Sequence, residues 1–88
     1  MTQEDINQFA AALAERYVQL DQGYMAADQR YQDTISTKSD LIENQLVYVQ
    51  REQAYARWKL MHDVITLLPD EIRIVFHQEH IRITKGIE

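Results

Sequence analysis

Residues 17–34, YVQLDQGYMAADQRYQDT, place a tyrosine at positions 17, 24 and 31, and an Asp-Gln pair trails the first two at 21–22 and 28–29. Seven residues is the period of a helix face that packs along another helix. Working outward, Ile6, Ala10, Leu13, Tyr17, Leu20, Tyr24, Ala27 and Tyr31 follow one another in alternating steps of four and three. That spacing draws a single stripe along one side of a helix expected over about 3–33. Thr2 and Asp5 stand where the two halves of a capping box belong, so the helix starts near Gln3.

The stripe lapses at Thr34 and Lys38. The stretch 33–40, DTISTKSD, is crowded with small polar side chains that compete for backbone hydrogen bonds. When a stripe resumes it is displaced by one residue and runs Ile42, Leu46, Val49, Gln53, Ala56, Leu60, Val64, Leu67. One residue is about 100° of helix rotation, so one straight helix through both stripes carries a broken seam. A turn at about 34–38 resolves this, with Thr37 as the expected cap of a second helix over about 39–67. A continuous, kinked helix is the alternative, because the turn lacks Gly and Pro. Reversal near residue 36 sets Tyr17 beside Tyr55, Tyr24 beside Tyr48 and Tyr31 beside Leu41. Tyr17, Tyr24, Tyr31, Tyr48, Tyr55 and Trp58 are therefore the expected aromatic seam, with Trp58 either closing that seam or anchoring a second protein.

Pro69 ends the second helix, because the residue before a proline is pushed out of helical geometry. Pro69, Asp70 and Glu71 also suit a helix start. Ile72, Val75, Phe76, Glu79 and Ile83 would share a face, yet Ile81-Arg82-Ile83-Thr84 alternates as a strand does. The reading is a short helix to about residue 80 and an extended tail within 69–88.

The expected fold is thus all-α: an antiparallel, coiled-coil-like two-helix hairpin with a short C-terminal helix or extended tail, in one domain of 88 residues. Two helices cannot cover stripes this wide, so completion by dimerisation is expected. Two glycines and one proline leave few turn-makers, in keeping with long helices. Gly23 interrupts the first helix at a cost of about 1 kcal/mol relative to alanine, either tolerated or offset by close approach of another helix.

Composition narrows function more by exclusion than by indication. With no cysteine, thiolate metal sites and thiol nucleophiles are absent. No apolar run reaches the length of a membrane span and no secretion signal opens the chain, so a cytoplasmic location is expected, in its own cell or in a host that a phage or mobile element has entered. The net charge of −5 is concentrated at the front, where residues 1–36 hold six acids against Arg16 and Arg30. That imbalance argues against direct nucleic-acid binding. His77 and His80 share a helix face beside Glu79 and could recruit His62 or Asp63 to a metal, but HQEH is not the HExxH arrangement, and no metal or other cofactor is expected. No phosphate loop and no nucleophile–base motif appears, so no enzymatic activity is expected. The functional expectation is protein–protein binding as a homodimeric adaptor, assembly or inhibitor module, with Ile72 and Phe76 among its partner contacts. The alternative is an acidic inhibitor that covers a partner's basic nucleic-acid groove through Glu15, Asp21 and Asp28.

Overall fold

The hydroxyl of Thr2 accepts the Asp5 N–H at 3.1 Å, and the Asp5 carboxylate accepts the Thr2 N–H at 3.3 Å. This capping box satisfies two otherwise orphaned donors and opens the first helix. The computed structural model describes residues 2–37 and 40–87, and is built from three helices: α1 (Gln3–Ser36), α2 (Leu41–Thr66) and α3 (Asp70–Ile87). The protein is all-helical, and no strand occurs among the described residues.

α1 continues three residues beyond the expected stop. At its end Ser36 and Thr37 turn their hydroxyls back onto the carbonyls of Asp33 and Thr34, at 2.9 and 3.0 Å. The Thr37 N–H also closes on Thr34, at 3.3 Å, so Thr37 finishes α1 rather than capping α2 as expected. That cap is Asp40, whose carboxylate accepts the Glu43 N–H at 2.7 Å. Lys38, within the expected turn, lies outside the described residues.

α2 stops where the proline requires. The Leu67 and Leu68 N–H groups fold back onto Val64 and Ile65, and the Pro69 carbonyl accepts from both Ile72 and Arg73. Pro69 therefore stands one residue ahead of α3 rather than at its first position. The extended tail and the strand reading of 81–84 give way to helix through Ile87. Two contacts account for the difference: the Thr84 hydroxyl donates to the His80 carbonyl at 2.9 Å, and Ile83 packs onto the core. Helical spacing brings Ile83 to the same face as Ile72 and Phe76, a reward that an extended tail would forgo.

The largest buried cluster joins all three helices: Ile6, Ala10 and Ala14 from α1, Ile65 from α2, and Ile72 and Phe76 from α3. Alanines at 10 and 14, both at 0% exposure, keep this side of α1 thin so that α3 can approach closely. α2 runs back along α1, since Tyr24 meets Tyr55 and Tyr31 meets Tyr48. α3 starts beside the first turns of α1 and reaches Tyr17 through Phe76 and His80. α1 packs on both neighbours, whereas α2 and α3 hardly meet. The outcome is close to a single layer of helices, 54 × 26 × 14 Å in Cα extent. Its radius of gyration is 16.5 Å, against about 12 Å for a compact chain of this length.

Candidate functional site

Every member of the α1 stripe, from Ile6 to Tyr31, is buried or half-buried. Its tyrosines find aromatic partners on α2, but one heptad further along than expected. Tyr24 faces Tyr55 with ring centroids 5.4 Å apart and Tyr31 faces Tyr48 at 6.0 Å. The reversal lies beyond Thr37, not at residue 36, and a whole-heptad shift is the smallest that keeps the same rows facing. Trp58 closes the seam, with its ring 6.4 Å from Tyr17, 6.2 Å from Tyr24 and 6.0 Å from Tyr55.

One cation sits in the ladder. Arg51 donates from Nε to the Asp28 carboxylate at 2.6 Å, and its guanidinium lies 6.0 Å from the Tyr24 ring centre and 5.4 Å from that of Tyr31. The hydrogen bond that Arg51 donates to Asp28 is the main cause holding the Arg51 pKa above its ordinary value, with burial opposing it. Of the acids expected to meet a basic partner, Asp28 is therefore already engaged; Glu15 is exposed and Asp21 half-buried. Ile72 and Phe76, at 8% and 3% exposure, belong to the core, so neither offers a partner a free surface in this fold.

The largest departure from the sequence reading is the rotation of α2. The row facing α1 is Asn44, Val47, Arg51, Ala54, Trp58, Met61, Ile65 and Leu68, each buried or half-buried. These positions also alternate in threes and fours, a second heptad row hidden by its Asn and Arg. The more apolar row, expected to face inward, lies outside: Ile42 is 82% exposed, Leu46 56%, Leu60 68% and Leu67 84%. Turning that row inward would swing Tyr48, Tyr55 and Trp58 away from the tyrosines of α1 and break the Arg51–Asp28 pair. Aromatic pairs are worth roughly 0.5–1.5 kcal/mol each beyond burial, which favours the observed rotation.

His62, His77 and His80 line one cleft of about 200 Å³ together with Tyr17, Arg73 and Phe76. The His62 ring stacks on Trp58 and the His80 ring on Phe76. Among the described residues no group of three or more His, Asp or Glu is placed to hold a metal ion. Among the same residues, no helix is long and apolar enough to cross a membrane. The aromatic seam is thus taken up between α1 and α2, with Tyr48 and Tyr55 still 49% and 40% exposed, while the more apolar row of α2 lies uncovered. No known family model, characterised protein or solved structure shows significant similarity to this chain.

Proposed function

We propose that this protein acts by binding protein rather than by catalysis, as an assembly or adaptor module whose α1–α2 hairpin pairs with a second copy through the outward row of α2. The exposure of that row carries the reading. Ile42, Leu46, Val49, Gln53, Ala56, Leu60, Val64 and Leu67 are all exposed along α2 and its C-cap, in heptad steps as far as Leu60 and with a second step of four to Val64, and a seam of that kind is complementary to another helix.

The area supports an absent layer. The chain exposes 6353 Å², whereas a monomer of 10.4 kDa is expected to expose about 5,400 Å². The excess is on the order of the ~800 Å² that each partner buries in a standard interface.

A second copy fits the part of the row that is symmetric about Gln53, namely Ile42, Leu46, Gln53, Leu60 and Val64, whereas Val49 and Ala56 fall opposite Arg57 and Gln50 of the second copy. In an antiparallel pairing centred on Gln53, Leu46 meets the partner's Leu60 and Ile42 meets the partner's Val64, while the two glutamine amides face each other and set the register. Glu52, which would then approach its own copy, is already held by Arg51 at 3.1 Å.

Solution mass against concentration tests the reading. The parent chain should be dimeric at micromolar concentration, and Leu46→Glu with Leu60→Glu should give a folded monomer, because both positions are solvent-exposed within one chain. A parent that stays monomeric at about 100 µM, a range in which specific interfaces of standard size are occupied, would remove self-association from the account.

A further inference from the structure

On the flank of the α1–α2 layer, a groove of about 520 Å³ runs between the two helices. Its floor is small: Gly23, Ala27 and Ala54. A Cβ added at Gly23 would meet nothing within 4 Å, so the glycine opens space rather than relieving a crowded contact inside this chain. Around that floor stand Arg16, Arg30 and Arg57, and no acidic residue lines the groove.

These three guanidinium groups are unneutralised. Arg51, Lys59, Arg73 and Arg82 each reach a carboxylate, whereas among the described residues no ion pair involves Arg16, Arg30 or Arg57. In a protein of net charge −5, three free arginines gathered on one groove are a local reversal of sign. Arginine gives planar, forked recognition of carboxylates, so the charge has a matching chemistry as well as a sign.

We propose that this groove is the docking site for an acidic α-helix of another protein. Along α1, Arg16 and Arg30 are fourteen residues apart, or about 21 Å at 1.5 Å per residue. In the observed register, Arg57 of α2 lies level with the middle of that span, close to Gly23. The cations therefore follow one another at roughly 10 Å, the rise of one heptad. A helix with Asp or Glu at every seventh position presents its carboxylates at that interval. Small residues on its contact face let its backbone settle over Gly23 and Ala54. A second copy of this chain does not suit the groove: antiparallel pairing of α1 across Gly23 brings Arg16 against the partner's Arg30, like charge on like. The groove belongs to α1 and α2 of a single chain, so the proposal does not rest on self-association; Gln53 lines this groove as well as the proposed α2 seam, so a docked helix and a second copy would compete for this flank.

The test uses the full-length protein and a fluorescein-labelled helical peptide carrying alanine on one face and glutamate at every seventh position. A scrambled isomer of equal charge serves as the control. The patterned peptide should bind saturably, and Arg16→Gln, Arg30→Gln and Arg57→Gln combined should weaken it by about tenfold or more, with the parent's affinity falling steeply in high salt. Gly23→Leu, which fills the floor, should abolish binding while circular dichroism shows the helices retained. Absence of saturable binding, equal binding by the scrambled isomer, or unchanged binding by the arginine variant would each overturn the proposal.

Discussion

Replacing Ile65 by alanine probes the rotation of α2 directly, when set against the same replacement at Leu60. Ile65 is 5% exposed and shares the three-helix cluster with Ile6, Ala10, Ala14, Ile72 and Phe76, whereas Leu60 is 68% exposed. Truncating a buried isoleucine to alanine costs about 2–5 kcal/mol, depending on how far the site collapses. Ile65 borders the open histidine cleft, so water and neighbouring rings can relax into part of the vacated space. The lower half of the range, about 2–3 kcal/mol, is expected. A chain of this length has roughly 4–13 kcal/mol of stability in total. The loss should therefore lower Tm by about 10–20 °C. Leu60→Ala should change stability by no more than about 0.5 kcal/mol when the chain is dilute enough to be monomeric. Urea unfolding followed by circular dichroism at several concentrations gives both numbers. If Leu60→Ala costs as much as Ile65→Ala in dilute solution, the more apolar row faces α1 and the described rotation is wrong.

Gly23→Ala places a methyl group in open space within a helix and should raise stability by about 1 kcal/mol; a loss in urea unfolding would show that the position is crowded. Asp40→Ala should cost about 1 kcal/mol through the lost cap of α2, and Thr37→Ala less, since the N-cap of α2 is Asp40 and the Thr37 hydroxyl donates to the Thr34 carbonyl at the end of α1. The Lys59 ammonium is held above its ordinary pKa of 10.5, chiefly by the hydrogen bond to Asp63. A raised folded-state pKa stabilises fully below pH 10.5 and loses that contribution as pH climbs through the folded value. Lys59→Gln should therefore make the alkaline decline above pH 10.5 shallower in a series of melts, and an unchanged slope would contradict the pairing.

Helix content and much of the inward face of α1 were open to reading because one periodic signal dominates from Ile6 to Tyr31, although that stripe left out Ala14 and Val18, which are buried at 0% and 8%. α2 carries two heptad rows, and counting apolar side chains selects the wrong one. Asn44 and Arg51 disguise the true inner row, since Arg51 is acceptable inside only once Asp28 and two tyrosine faces are known to surround it. Trp58 and Ile65 were the available hint, being large residues wasted if that row faced water. The register slipped by one heptad for a related reason, because periodicity fixes which rows meet but leaves multiples of seven degenerate. The end of α3 was ambiguous since Ile81, Ile83 and Thr84 suit a strand locally, and only Ile83 reaching the core decides for helix. Ile72 and Phe76 read equally well as core or as contact surface until α3 had a place to lie. The arginine groove had no linear signature, as Arg57 joins Arg16 and Arg30 only through the fold.

Because α1 alone packs extensively on both other helices, protection of backbone amides should be graded along the molecule. The end containing Ala10, Ala14, Ile65 and Phe76 is braced on two sides, whereas residues 27–36 have α2 as their sole lateral support. Deuterium uptake should begin at that far tip and spread toward the braced end, as a cooperative opening that needs much less free energy than global unfolding. A ligand clasping the tip would slow exchange there first, so the gradient itself can serve as a label-free map of where the protein is held.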